Sequence, residues 1–130
     1  MRNYISYCLT LPKDQSEFVL INLGRLISEK YQKNPTALLS DPYSEIMSSI
    51  EEANPDDRSQ LLLSNVGILT EPELALNPAK IFLDLAVQFD VTILWTDEII
   101  DNRILVWAHQ NARQIIEFPQ NTLHKMETSA

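Results

Sequence analysis

The chain has 130 residues, of which 45% are hydrophobic and 22% are charged, values that suit one globular domain. Its 18 acidic and 10 basic residues give a formal charge of −8, which argues against the clustered basic surface of a nucleic-acid-backbone binder. No apolar run approaches the roughly 20 residues needed to span a bilayer, and the one cysteine, Cys8, excludes an internal disulfide.

The other bulk features predict a cytoplasmic protein. Because no long apolar core follows Arg2, no signal peptide is expected, and a buried, reduced Cys8 thiol suits the cytoplasm. The negative charge is compatible with a protein partner that has a basic surface. It gives no reason to expect a nucleic acid or a membrane as the partner.

Apolar runs predict the strands of a sheet. Residues 4–11 alternate loosely and contain β-forming side chains, which fits an edge strand, with an amphipathic helical turn as the alternative. Phe18–Asn22, Gln60–Val66 and Val91–Trp95 are short and apolar, as expected for buried strands. The last two flank one amphipathic helix, and this β-α-β pattern predicts that they are parallel neighbours.

Three helices are predicted between these runs. Residues 23–33 have apolar side chains at helical spacing, and Asn34-Pro35 ends that helix. Residues 42–53 form the second helix, with Asp41 as its cap and proline at its first position. The third helix begins at Asn77-Pro78 by the same cap-then-proline logic. Its inner face is formed by Ile81, Phe82, Leu85, Ala86 and Phe89.

The C-terminal part of the chain predicts a hairpin and a tail. Thr96–Asn102 is an acidic connection, and Arg103–His109 and Gln114–Phe118 follow it as two strands joined by a short polar link. Residues 119–130 are polar and are expected to form a disordered tail. The order of elements predicts a single α/β domain over residues 1–118. We expect a mainly parallel sheet with flanking helices and a terminal hairpin at one edge.

Polar side chains at the expected carboxyl ends of two neighbouring strands are the candidates for a ligand site. They are Ser64, Asn65, Thr96 and Asp97. In nucleotide-binding folds, chemistry takes place at such strand ends. Ser64 and Asn65 offer only neutral oxygens, which at best hold a magnesium-bound water and equally suit hydrogen bonds that close a strand end.

Other motifs point away from catalysis. The two glycines, Gly24 and Gly67, form no phosphate-binding loop, and Gly24 lies in a helical pattern where close packing explains it. Carboxylates cluster within residues 51–57 and 97–101, but they lack calcium-loop spacing and fit solvated loops. No Ser/His/Asp set or zinc spacing stands out, so no catalytic residue, metal or cofactor is expected.

Several stretches of the chain resemble the small P-loop protein found in BREX-type phage-exclusion gene clusters. These stretches are Phe18–Glu29, Leu61–Leu69, Leu76–Lys80, Val91–Trp95 and Asn102–Ala108. The resemblance covers residues 18–118 and implies a P-loop NTPase-like scaffold. It also implies a glycine-rich phosphate loop ahead of the segment like Phe18–Asn22, and an acid after the apolar strand.

The chain departs from that family at both functional positions. Residues 1–17 precede Phe18 without a glycine or a Gly-Lys-Ser/Thr sequence, and Ser64 takes the place of the acid. Loss of the loop, the lysine and the acid together removes most of the catalytic apparatus. The resemblance and its departures therefore predict a degenerate relative that is not an enzyme.

Three functions are open at this point. The first is a non-catalytic protein-interaction subunit or adaptor of a prokaryotic phage-defence assembly, bound to other subunits or to copies of itself. The second is a nucleotide-binding or sensing subunit whose site, around Ser64, Asn65, Thr96 and Asp97, is completed by a partner chain. The third is an acidic inhibitor that occupies a basic groove on another protein.

Overall fold

The computed structural model describes residues 5–32, 34–109 and 112–126, which form an α/β protein. The strands in these ranges are β1 (Ile5–Cys8), β2 (Val19–Asn22), β3 (Gln60–Ser64), β4 (Asp90–Leu94), β5 (Glu98–Ile100), β6 (Ile104–His109), β7 (Ala112–Glu117) and β8 (Leu123–Lys125). The α-helices are α1 (Leu23–Tyr31), α2 (Pro35–Ser40), α3 (Pro42–Glu52) and α4 (Pro78–Gln88). Two short 3-10 helices lie between β3 and α4, at Val66–Thr70 and Pro72–Leu74.

The main sheet, within the described ranges, has five parallel strands in the order β2-β3-β4-β1-β8. Leu62 of β3 lies opposite Leu20 of β2 and Thr92 of β4. Ser6 of β1 lies opposite Thr92 and, on its other side, His124 of β8. The prediction that the strands now numbered β3 and β4 are parallel neighbours is confirmed.

β1 is an interior strand, although its sequence predicts an edge strand. Ile5, Tyr7 and Cys8 are all buried, and the strand has a partner on each side. Within β1, Ile5 and Tyr7 point to one face of the sheet, and the small side chains of Ser6 and Cys8 point to the other. Both neighbours come from distant parts of the chain, so no local pattern shows that the position is interior.

Local capping signals set the beginnings of α1 and α3. Oδ1 of Asn22 accepts a hydrogen bond from the backbone N–H of Arg25 at 3.0 Å. Oδ1 of Asp41 accepts one from the N–H of Ser44 at 3.3 Å. Each side chain satisfies an N–H group that has no partner inside the helix. The three predicted helices correspond to α1, α3 and α4 and are confirmed, although α1 ends at Tyr31 and not at residue 33.

Two residues that were predicted to begin or end a helix, Asn77 and Pro35, have different roles in the structure. Asn77 precedes α4 as expected, but its side chain makes no capping bond; its carbonyl accepts from the N–H of Lys80 at 3.1 Å instead. Pro35, expected to end a helix, also begins α2, because proline suits the first helical position. None of the helices in the described ranges is long and apolar enough to cross a bilayer.

The four α-helices of the described residues pack on one face of the main sheet, called here the core face. Alternate strand residues point to this face and join the helices in one hydrophobic cluster. Its strand members include Ile21, Leu61, Leu63 and Ile93, and Phe82 of α4 is fully buried among them. Burial of each such side chain contributes about 1.5–3 kcal/mol to folding before entropy is counted.

A second, antiparallel sheet of β5, β6 and β7 extends the core. Leu105 and Ile116 are buried in the main cluster, and the ring of Phe118 lies 6.0 Å from that of Phe82. The predicted hairpin is confirmed as β6–β7, but its placement at an edge of the main sheet is wrong. β5 lies within the expected connection Thr96–Asn102, and three residues are too few to show a strand period.

Residues 119–130, predicted to be a disordered tail, contain β8. Leu123 is 4% exposed, and the N–H of Met126 donates to the carbonyl of Tyr7 at 2.8 Å. The prediction is therefore wrong for residues 119–126, and the domain continues past residue 118. A strand of three residues with one buried side chain carries no periodic signal. Residues 127–130 lie outside the described residues.

A polar contact joins α3 to α4. The Tyr43 hydroxyl donates to Oδ2 of Asp84, and Nζ of Lys80 lies 2.9 Å from the same oxygen. These two hydrogen bonds, that of Tyr43 first, lower the pKa of Asp84 below its ordinary value. Because the carboxylate is partly exposed, we expect it to contribute no more than about 1 kcal/mol.

Leu123→Ala tests the correction to the tail. The substitution should lower the free energy of unfolding by about 2–4 kcal/mol, because it leaves a cavity between β8 and the core. Urea unfolding followed by circular dichroism measures the change. Lys125→Ala, at an exposed position of the same strand, should cost less than about 0.5 kcal/mol. Coincident curves for Leu123→Ala and the wild type would show that β8 does not pack.

Asp84→Asn tests the contact between α3 and α4. It should lower the free energy of unfolding by about 0.5–1 kcal/mol at neutral pH. The folded pKa lies below 3.8, so the ionised carboxylate stabilises the fold above that pH. This contribution is lost as the pH falls through the folded value.

Urea titrations of Asp84→Asn at neutral pH and at about pH 2 measure this dependence. The difference from wild type should shrink at the lower pH, while Asp56→Asn, at an exposed carboxylate, stays near zero at both. A difference that is the same at both pH values would exclude an ionic origin.

Candidate functional site

The four candidate residues line one cavity at the carboxyl edge of the main sheet. Ser64 ends β3 and Asn65 follows it, and Thr96 and Asp97 follow β4 beside it. The cavity has a volume of about 110 Å³. The structure therefore brings together the four residues that the sequence selects.

Asn65 uses its side chain to connect two strand ends. Its backbone lies in the left-handed region (φ 50°, ψ 43°), which asparagine tolerates better than most residues. Its Nδ2 donates at 2.8 Å to Oδ1 of Asn22, the oxygen that also caps α1. Asn22 is missing from the predicted site. Its place between an apolar run and a helix, the capping position, is the sequence signal that could have found it.

Both glycines of the chain lie close against a neighbouring side chain, Gly67 more closely than Gly24. A Cβ at Gly67 would lie 2.8 Å from two ring carbons of Trp107, and a Cβ at Gly24 would lie 3.1 Å from Cβ of Asn65. Neither glycine has a positive φ. Both serve close packing, as predicted for Gly24, and neither forms a loop around a phosphate.

Trp95 holds the end of β4. Its side chain is 3% exposed, and its indole Nε1 donates to the carbonyl of Glu98 at 3.0 Å. Its backbone N–H donates to the carbonyl of Cys8 at 2.9 Å. Together these bonds position the turn that carries Thr96 and Asp97. Burial raises the pKa of the Cys8 thiol, which keeps it protonated and unsuited to act as a nucleophile.

The cavity lining offers little to a nucleotide. Among the described residues that line it, Asp97 is the one charged side chain, and it is an acid. Phosphate sites need positive charge or a helix N-terminus. A cavity of about 110 Å³ holds a few water molecules, whereas ligand pockets start near about 300 Å³. This volume excludes a nucleotide from the cavity as it stands.

Metal ligands are also sparse. The parts of the chain that the structure describes contain no group of three or more His, Cys, Asp or Glu able to hold a metal ion. The carboxylate clusters of residues 51–57 and 97–101 lie at the surface. Glu52 pairs with Lys30 at 2.8 Å, and a Glu98 oxygen lies 3.9 Å from Arg113. Both clusters are solvated, as the sequence predicts.

The connection that follows β1 is the second part of the site that matters. Leu9–Phe18, called here the crossing segment, joins β1 to β2 and contains neither a glycine nor a helix. At sheet edges, phosphates are held by the backbone N–H groups that open a helix. No helix begins after β1, so the connection that follows this strand does not supply the usual anion cradle.

Comparison with known proteins does not identify the site. The chain matches no protein-family model, no curated protein and no solved structure at a significant level. The geometry of the described residues is therefore what bears on function.

Gly67→Ala tests the packing at the cavity. It should lower the free energy of unfolding by about 1–3 kcal/mol, because the new Cβ forces the Trp107 ring to move. Urea unfolding of Gly67→Ala, Trp107→Leu and the double variant gives the coupling between the two positions. The cost of Gly67→Ala should fall when Trp107 is leucine. Strictly additive costs would exclude the ring as the cause.

Proposed function

We propose that this chain is a non-catalytic protein-interaction subunit of a prokaryotic phage-defence assembly, built on an ATPase-like scaffold. The observation that carries this proposal is the direct passage of β1 into the crossing segment, without a glycine or a helix. In P-loop proteins a strand leads through G-x-x-x-x-G-K-[ST] into a helix. Without that unit, the N–H groups and the lysine that hold phosphates are missing.

The topology of the main sheet supports the scaffold part of the proposal. β1 lies inside a parallel sheet, between strands that come later in the chain. Doubly wound nucleotide-binding folds likewise place their first strand inside a parallel sheet, beside later strands. This likeness of architecture agrees with the resemblance of residues 18–118 to the small P-loop protein of BREX clusters.

The energetics of catalysis support the absence of an activity. Loss of one preorganised contact to a transition state costs an enzyme about 3–4 kcal/mol. Here Ser64 stands where the resemblance implies an acid, and Asp97 is the one charge among the described residues that line the cavity. Loop, lysine and acid are all replaced, so their losses combine. A chain of this kind is expected to be retained for its surface.

Two observations support the interaction part. The net charge of −8 favours partners with basic surfaces and raises the rate at which they meet the chain. Three leucines at or beside the crossing segment, Leu9, Leu11 and Leu20, are exposed. The phage-defence setting is supported by the resemblance alone.

A nucleotide sensor completed by a partner chain is the second candidate. The convergence of Ser64, Asn65, Thr96 and Asp97 on one cavity favours it. A partner would have to supply the positive charge and the anion cradle, and the cavity would have to open. Because this demands more of the partner, the adaptor role is the better-supported proposal.

Calorimetry and co-expression test the proposal together. The isolated chain, titrated with ATP and Mg²⁺, should give no binding heat up to about millimolar nucleotide. Co-expressed with the products of its neighbouring genes, it should elute from size exclusion as a hetero-complex. Nucleotide hydrolysis by the isolated chain would overturn the proposal, and nucleotide binding by the complex alone would replace it with the sensor. Elution of the chain alone and monomeric would reject the adaptor role.

A further inference from the structure

The second sheet ends in a strand with a free edge. β7 pairs with β6 on one side, and within the described ranges no strand pairs with its other side. β7 has six residues, whereas the other edge strands, β2, β5 and β8, have four, three and three. It is therefore the longest edge strand in the described part of the chain. Such an edge presents unpaired backbone groups, which can bond to another strand.

The hydrogen-bonding pattern of the hairpin shows which backbone groups of β7 point outward. The N–H of Phe118 donates to the carbonyl of Arg103 at 3.0 Å. Alternate residues of an antiparallel strand bond to the same neighbour, so the even-numbered residues of β7 bond to β6. The odd-numbered residues, Arg113, Ile115 and Glu117, turn their N–H and C=O groups away from β6. Among the described residues, these outward groups have no hydrogen-bond partner.

Open space adjoins this edge. A cavity of about 650 Å³ lies between β7 and the N-terminal half of α4. Ile115 and Glu117 line it on the side of the strand, and Leu83 lines it on the side of the helix. Ile115 is 50% exposed, and the side chains of Arg113 and Glu117 are 61% and 50% exposed. The edge is therefore accessible at all three outward residues.

The outward residues of β7 have a pattern that is complementary to itself in the antiparallel direction. In a two-fold pair of β7 strands centred on Ile115, that isoleucine lies opposite its own copy. Arg113 then lies opposite Glu117 of the second copy, and Glu117 lies opposite Arg113. This register uses all three outward residues. It also places opposite charges directly across from each other, which stabilises antiparallel pairs.

The net charge of the chain does not prevent this pairing. Two chains of charge −8 repel each other, but exposed charges more than about 8 Å apart are largely screened at physiological ionic strength. Pairs that meet at the edge then matter more. Within one chain, Arg113 lies 3.9 Å from Glu98, and Glu117 lies 3.2 Å from Arg103. A second copy would join these two ion pairs into a network of alternating charge.

We propose that two copies of this chain associate through the free edge of β7, in the antiparallel register centred on Ile115. The two three-stranded sheets then form one sheet of six strands. The outward backbone groups gain partners, and each Ile115 packs against its copy. The same patch of both copies forms this contact, and its size suits a weak dimer in exchange with the monomer. The inference goes beyond the proposed function and does not rest on it.

Two charge variants test the register of the pairing. Arg113→Glu and Glu117→Arg each place like charges opposite each other at both ends of the paired segment. Each should raise the dissociation constant of the dimer about tenfold or more. In an equal mixture of the two variants, each glutamate at these positions faces an arginine of the other chain. The mixture should therefore dimerise about as strongly as the wild type, although neither variant does so alone.

Sedimentation equilibrium at about 100 µM chain and about 0.15 M NaCl measures these constants. Circular dichroism establishes that the variants fold. Arg25→Glu changes the net charge as Arg113→Glu does, also at an exposed ion pair, on α1. It should stay within about twofold of wild type. A monomeric wild type, single variants that dimerise like the wild type, or a mixture that stays monomeric would each overturn the inference. The proposed function, tested with the neighbouring gene products, is unaffected by these outcomes.

A cysteine at position 115 tests the centre of the pairing. In the proposed register the two Cα atoms of Ile115→Cys lie about 5.5 Å apart, within the range of a disulfide. With copper–phenanthroline as the oxidant, this variant should form a linked dimer about tenfold faster than Leu39→Cys. Leu39 lies on α2 with a similar exposure of 51%, and Cys8 is buried in both variants. Equal rates of linkage would overturn the inference.

Discussion

The burial of β3 on both of its faces is the constraint on which the rest of the structure depends. Leu61, Leu62 and Leu63 are each at most 1% exposed, and β3 pairs with β2 on one side and β4 on the other. Together these leucines contribute about 5–9 kcal/mol before entropy costs. A strand this apolar must lie inside a sheet with material on both faces. Its interior position places Ser64 and Asn65 at the carboxyl edge of the sheet, beside the end of β4. The helices α1 and α4 then pack on the core face of the sheet.

Hydrophobic patterns that extend over a whole helix or strand are what the sequence shows reliably. The elements that have them lie around β3. The helices α1, α3 and α4 are long enough to show a hydrophobic period, and the parallel pair β3–β4 is indicated by two apolar runs that flank one helix, so these predictions are confirmed. The elements missed are α2, β5 and β8, of six, three and three residues. Elements this short are stabilised by partners far away in the chain, which no local pattern reveals.

The candidate site divides in the same way. Two neighbouring strands of one β-α-β unit place Ser64 and Asp97 at a single edge, and that could be inferred from the order of elements alone. The packing of Trp107 on Gly67 could not be inferred from the sequence. Trp107 belongs to the second sheet, and the position of that sheet relative to the first is set by tertiary contacts. The capping role of Asn22 could be inferred from its place before α1, but its contact with Asn65 could not, because the two residues are far apart in the chain.

The position of β1 has a consequence for how the protein is made. Ser6 pairs with Thr92, and Ile5 pairs with Leu123, so β1 leaves the ribosome long before either of its neighbours exists. Contacts this distant in sequence slow folding, and a strand that waits unpaired can associate with other chains. The nascent polypeptide therefore depends on late residues to complete the centre of its sheet. Premature termination shortly before β8 would release a chain whose first strand is paired on one side only.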